Sequence, residues 1–238
     1  MAESVHRYGP EALEAVYRVI HERRDMRHFV PLPVDPQTLQ RLLGAAHAAP
    51  SVGLSQPWRF IRITRPELRS QIHGLVEAER ARTAAALGER RDEFLRLKID
   101  GVLECGELLV VALRDGGSSE VFGRRTMPEM DLASAACAIQ NLWLAARAEG
   151  LGMGWVSIFD PGALARLLSF PEGVRAIAVL CLGHVERFYE APMLILERWR
   201  QPRRLEELVY ENGWGGDGGG AGDGSTSRGG RAGDGGQR

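Results

Sequence analysis

Apolar positions along the chain fall into two alternating rhythms. Residues 11–22 (EALEAVYRVIHE) place Leu13, Val16, Tyr17 and Ile20 on one face at helical spacing. Asp35-Pro36 reads as an N-cap followed by the first helical residue. Leu39, Leu42, Leu43 and Ala46 then supply an apolar stripe, and Pro50 ends the helix. WRFIRIT (58–64), LLVVAL (108–113), WVSIF (155–159) and AIAVLCL (176–182) are short runs of strand type. Residues 67–100 are charged and helical, and Asp160-Pro161 opens a short helix. GGSSEVFGRRTMPE (116–129) reads as a loop. Residues 131–149 (DLASAACAIQNLWLAARAE) are apolar almost all round, which predicts a helix buried on every side, within one chain or in a dimer core.

Interleaved helices and strands predict one α/β or α+β domain over residues 1–212. After Asn212 half the residues are glycine, and this 213–238 segment lacks the apolar side chains that would offset its ordering entropy. It is expected to be disordered. With 238 residues there is room for one sizeable core.

Composition narrows the function classes. A net charge of −1 gives no field to attract nucleic acid or a membrane surface. No apolar window has transmembrane length, and MAESVHRYGPEALEAV lacks the apolar stretch of a signal peptide. Cys105, Cys137 and Cys181 are widely spaced among apolar residues, as reduced core thiols of a cytoplasmic protein would be. His21, His28 and His47 are isolated, and no metal site is expected.

Three stretches carry candidate chemistry. GLGMG (150–154) follows a helix and precedes a strand, the reverse of a dinucleotide fingerprint, so it reads as a C-cap glycine and close backbone packing. ERRDMRHF (22–29) crowds Arg23, Arg24 and Arg27 around one carboxylate, Asp25. A helix C-terminus favours cations, but three arginines exceed that need, and arginine suits a bidentate grip on phosphate. APSVGLSQPWRF (49–60) offers a turn, a glycine and Gln56, and can present backbone groups and an amide to a planar polar ring.

An arginine pair, a short gap, a third arginine, then Ala-Pro-Ser and Gln-Pro-Trp after a helix, resembles the pattern of the nitroreductase-like flavoproteins, over about residues 14–211. The resemblance implies an α+β fold with a central, mostly antiparallel sheet flanked by helices, forming an intertwined homodimer around FMN. It implies that Arg23, Arg24 and Arg27, with Asp25 and Met26 among them, line the phosphate and ribityl chain. Ser51, Val52, Gly53, Leu54 and Gln56 would line the flavin, with Trp155, Val156 and Ser157 at its edge. Arg203 would join the phosphate grip.

Two positions depart from the usual family pattern. Asp25 stands where Ser or Thr is common, and Leu54 where Asn is common. With GWVSIFD (154–160) and ERWRQPRRLEELVYENGWG (197–215), these resemble the branch that fragments its own reduced FMN with O2 to 5,6-dimethylbenzimidazole and erythrose 4-phosphate. There Asp25 would be a general base, favoured in its ionised form by the arginines, and Ser157 a hydrogen-bond donor at the flavin. A separate flavin reductase would supply the reduced FMN. An NAD(P)H-dependent nitro or quinone reductase and a non-catalytic flavin-binding protein remain open alternatives. Asp25 as a salt bridge that only organises arginines, Ser157 as a strand hydroxyl, and 77–100 as either a lid or a solvated helix with i,i+4 ion pairs remain open too.

Overall fold

In the computed structural model, residues 6–114 and 123–214 are described. The tail from residue 215 and part of the expected 116–129 loop lie outside them. Chain through Trp199 forms one compact unit, and Arg200 onward forms another.

The first unit is built on four strands: β1 (Trp58–Arg62), β2 (Glu107–Arg114), β3 (Gly152–Val156) and β4 (Val174–Gly183). Their order is β1-β2-β4-β3, and every neighbouring pair is antiparallel. The helices are α1 (Pro10–Glu22), α2 (Pro36–His47), α3 (Pro66–Ala86), α4 (Arg91–Arg96), α5 (Met130–Ala148), α6 (Pro161–Leu167) and α7 (Met193–Leu196). This is the expected α+β architecture.

Strand periodicity splits the core in two. Leu109, Val111 and Leu113 of β2 face a cluster with α2 and α5. Leu108 and Val110 face the other side, packed with Ile72, Val76 and Phe94 from α3 and α4. The period of two thus lets one strand serve both layers. Each fully buried Leu or Ile here contributes about 1.5–3 kcal/mol.

Caps set several boundaries. The Asp35 side chain accepts from the Thr38 amide at 2.8 Å, and Asp160 from that of Ala163 at 2.7 Å. Gly150, at φ +77°, follows the end of α5 as a left-handed C-cap glycine.

Three expectations are corrected, for Ser157, for Cys137 and for the ion pairs of 77–100. Strand β3 ends at Val156, so Ser157 lies beyond it and is exposed. In the single chain helix α5 leaves Leu132, Ala133, Cys137 and Gln140 facing outward, so burial on every side within one chain does not hold, the dimer-core reading is left for this face, and Cys137 is not a core thiol of the single chain. Helix α1 buries no residue, and Tyr17 on its apolar stripe is 57% exposed. The helix ion pairs within 77–100 are i,i+3 (Glu77–Arg80, Glu79–Arg82, Arg90–Glu93) and not i,i+4, because these acids and arginines stand three residues apart, and the helix breaks at Leu87–Arg90.

The second unit carries a short 3-10 turn, Leu205–Glu207, and a stacked Tyr210–Trp214 pair with ring centroids 5.0 Å apart. Arg203 lies in this unit with its side chain exposed.

Candidate functional site

Glycines in β3 create the site. Asp25 forms an isolated parallel bridge to Met153, and the Met26 amide donates to the Met153 carbonyl at 2.9 Å. Residues 25–27 therefore lie along the outer edge of β3. They can do so because a Cβ at Gly154 would collide with the Met26 carbonyl and the Arg27 guanidinium, and one at Gly152 would sit 2.5 Å from Val185 Cγ1. Close backbone packing is thus the use of the GLGMG glycines.

Asp25 is held on both oxygens. Arg27 donates through Nη1 and Nη2 at 2.5 and 2.6 Å, and the Trp155 amide donates to Oδ1 at 3.0 Å. The Arg27 side chain is 9% exposed and that of Asp25 41%, so the pair opens to solvent on the acid's side. Burial pushes the Asp25 carboxyl above its ordinary value; the Arg27 charge, the Trp155 amide and the Arg23 charge pull it back without cancelling that rise. The arginines do favour the ionised form, as the sequence suggests, but desolvation outweighs them. A raised pKa makes Asp25 a better proton acceptor.

Asp25, Arg27, Trp155, Val156 and Ser157 line one cavity of about 210 Å³. Its other wall is apolar: Phe94 and Leu97 come from the 77–100 segment, Trp199 from the 197–215 stretch, and Met193 and Leu194 of α7 from outside every stretch the sequence singled out. Trp199 is held by the Arg90 guanidinium, 3.6 Å from its ring centroid.

The three arginines have three different settings. Arg24 donates to the carbonyls of His21 (2.6 Å), Arg23 (2.8 Å) and Glu190 (3.1 Å), closing the C-terminus of α1. Arg27 is committed to Asp25. Arg23 sits over the Trp143 ring, 4.5 Å from its centroid, and among the described residues it forms no ion pair or hydrogen bond through its side chain. Arg23 is thus the cation left free for an anion. Met26 faces the core at 1% exposure, leaving only its backbone near the cavity.

The Ser51–Gln56 loop is elsewhere. Gly53, Leu54 and Gln56 have φ of +54°, +54° and +45°. For the two non-glycine residues this left-handed backbone costs about 1–3 kcal/mol each, and Leu54 gains little from burial at 79% exposure. Most of the loop's amides are spent internally: Val52 on Ser134 Oγ, Leu54 on the Ser51 carbonyl, Ser55 on the Val52 carbonyl, Gln56 on Ser51 Oγ. From Val52 to Gln56, the Gly53 amide alone lacks a partner among the described residues. The loop precedes β1, whereas Asp25 and Ser157 flank β3, at the opposite edge of the sheet. Three strand spacings, about 14 Å, separate these edges. One chain does not bring its two candidate flavin-binding stretches together.

Away from this cavity, His73, Glu77 and Asp100 bring ligand-type atoms within 4.8 Å of one another. Glu77 is paired with Arg80, and Asp100 accepts from the Val102 amide at 3.0 Å. None of the described helices is long and apolar enough to cross a membrane.

The chain is similar to 5,6-dimethylbenzimidazole synthase of Rhodobacter capsulatus, at 40% identity over 79% of this chain and 92% of the relative. It is similar to that of Rhodospirillum rubrum at 38% identity over 85% and 96%. Among solved structures, iodotyrosine deiodinase bound to FMN and 3-iodo-L-tyrosine superimposes with a TM-score of 0.66 at 23% identity, over 84% of this chain and 100% of that one. A BluB-like flavoprotein from Clostridium difficile 630 does so with a TM-score of 0.64 at 20% identity, over 82% and 97%. The model of the Nitroreductase family matches residues 20–184, most of the compact unit that holds both candidate stretches, and the chain belongs to that family.

Proposed function

We propose that the protein is a 5,6-dimethylbenzimidazole synthase, which fragments its own bound, reduced FMN with O2 to 5,6-dimethylbenzimidazole and erythrose 4-phosphate. The observation that carries this reading is the Asp25 carboxylate, fixed by Arg27 and the Trp155 amide in the same cavity as Ser157. The 40% identity to a synthase supports it.

The residues fit FMN. A guanidinium at Arg23 with no ion pair or side-chain hydrogen bond among the described residues suits a phosphate, and the Gly53 amide, unpartnered among those residues, and the Gln56 side chain suit the polar edge of a ring. Reduced FMN supplies both the electrons that reduce O2 and the carbon skeleton that is cut. Asp25 accepts the proton of a ribityl hydroxyl, a task its raised pKa favours. Arg27 keeps Asp25 in one rotamer, and its positive charge stays beside the acid before and after the transfer. Ser157 donates a hydrogen bond at the flavin's edge. The apolar wall of Phe94, Leu97, Met193 and Trp199 excludes water from the reacting bond.

The site is completed by a second copy. The loop and Asp25 stand at opposite sheet edges, and the outward faces of α1 and α5 carry apolar residues: Val16, Tyr17 and Ile20 on one, Leu132, Ala133 and Cys137 beside Gln140 on the other. A homodimer with a two-fold axis between these helices would cover both faces and could set the loop of one protomer against the Asp25 cavity of its partner. In this reading residues 1–212 act as one FMN-binding domain, a separate flavin reductase delivers reduced FMN, and the reaction takes place in the cytoplasm.

The test is direct. The protein is mixed with chemically reduced FMN in air, and the products are separated by mass. A benzimidazole formed in proportion to bound flavin is expected. Quantitative return of oxidised FMN would overturn the reading, and NAD(P)H oxidation driven by a nitro or quinone acceptor would indicate a reductase instead.

A further inference from the structure

The strained Ser51–Gln56 loop is clamped by side chains that belong to neither candidate stretch. Asp131, in the first turn of α5, and Arg124, in the segment before it, form an ion pair with both side chains only 9% exposed. Arg124 donates to Asp131 Oδ1 through Nη2 at 2.6 Å and through Nε at 2.9 Å. The Ser55 hydroxyl donates to that same oxygen at 3.3 Å. One turn further along α5, Ser134 Oγ accepts from the Val52 amide at 3.1 Å and donates to the Met130 carbonyl at 2.6 Å. On the outer side Gly123, at φ +78°, lies so close to the loop that a Cβ there would be 3.2 Å from Val52 Cγ2.

A left-handed backbone at Leu54 and Gln56 does not persist unless its surroundings over-determine it. Here the over-determination is a buried charge pair. It sits at a helix N-terminus, where the dipole favours the acid, and burial makes its geometry costly to lose. Asp131 holds Ser55 and Ser134 holds Val52, on either side of Gly53, whose amide has no partner among the described residues.

We propose that Asp131 and Arg124 are positioning residues, which hold the loop in its left-handed form and so preset the Gly53 amide and Gln56 before the flavin binds. This rests on the assignment of the loop as part of the flavin site. Neither residue touches the flavin in this proposal; Arg124 holds Asp131, and Asp131 acts on the loop through Ser55, next to the separate Ser134 bond that holds Val52. Preset donors spare the flavin the work of ordering a loop, so the effect is read in affinity and in the environment of the bound ring.

The experiment titrates oxidised FMN into the full-length protein and records the visible absorption and circular dichroism of the bound flavin. Asp131→Asn is expected to weaken FMN binding about tenfold and to shift the bound-flavin spectrum, while Asp131→Glu restores both in part. Ser55→Ala removes one link without stranding a charge, and it is expected to give the same spectral shift with a smaller loss of affinity. If Asp131→Asn fails to fold, Ser55→Ala decides the matter. Parental affinity, or weakened affinity with an unshifted spectrum, would overturn the proposal. The readout needs only oxidised FMN, so a parent protein that binds FMN and forms no benzimidazole would count against the synthase reading and leave this test intact.

Discussion

The amide of Trp155 donates to Oδ1 of Asp25 at 3.0 Å, joining an edge strand to a segment 130 residues earlier in the chain. Together with the two Arg27 bonds it leaves Asp25 little rotational freedom. Asp25→Asn keeps the size of the side chain and removes the base. FMN is expected to bind with near-parental affinity, because the phosphate contact assigned to Arg23 is untouched. Benzimidazole formed per bound flavin should fall by about 10²–10⁴, the usual contribution of a general base, while O2 is still consumed and FMN returns intact. Mass analysis of the products checks this; a parental yield per bound flavin would leave Asp25 a purely structural ion-pair partner.

The same carboxyl sets a pH dependence. Burial raises its pKa above 3.8 in the folded chain. The base works ionised, so product formation at saturating flavin should decline as pH falls through that raised value, at a higher pH than an unperturbed aspartate would give. For stability the sign is opposite: a raised folded pKa gives a contribution that is complete below 3.8 and is lost as pH rises through the folded value. Asp25 therefore opposes folding at neutral pH, as a residue kept for chemistry can. Yield per bound flavin measured against pH, with folding followed by circular dichroism, reads the acid limb. A midpoint at or below 3.8 would contradict the assignment.

Arg23 and Arg24 are adjacent yet should fail differently. Arg23→Ala removes a guanidinium that rests on Trp143 and has no acidic partner among the described residues. FMN binding should weaken by roughly 1.5–3 kcal/mol, the range for a hydrogen bond to a charged group, with thermal stability little changed. Arg24→Ala removes two bonds to carbonyls at the end of α1, of His21 and Arg23, and one to the Glu190 carbonyl. It should lower the melting temperature of the flavin-free protein. Equal effects of the two substitutions on both readouts would dissolve the distinction.

Much of this was legible before the fold was known, and the failures have physical causes. Asp35-Pro36 announced α2 because a cap acts within four residues. The hearts of the strands showed through their β-branched and Leu runs. The start of β3 did not, since Gly152 and Gly154 carry no side-chain signal; close packing of their backbone was legible, but the partners, Met26, Arg27 and Val185, were not. The apolar stripe of α1 and the all-round apolarity of α5 revealed helices but not what covers them, because hydrophobicity marks a need for burial and not the partner. ERRDMRHF told which residues gather, and the structure gives each arginine a different setting. The Arg124–Asp131 clamp could not be read from spacing, since the two meet through tertiary packing against a loop some 70 residues earlier.

The uncovered helix faces lead to a last expectation. A charge placed on the outward face of α5 should separate the protomers. Leu132→Glu suits this, as Leu132 is 37% exposed in the single chain and would be desolvated in the dimer. An unpaired carboxylate buried at that interface costs several kcal/mol, enough to shift a dimer strongly toward monomer. The single chain carries the loop and Asp25 at opposite edges of one sheet. Loss of the dimer should therefore remove FMN binding altogether, even though no residue assigned to the flavin has changed. Sedimentation velocity paired with flavin titration on the same sample separates the possibilities. A Leu132→Glu monomer that binds FMN with parental affinity would show that one chain suffices, and the two-copy site would have to be abandoned.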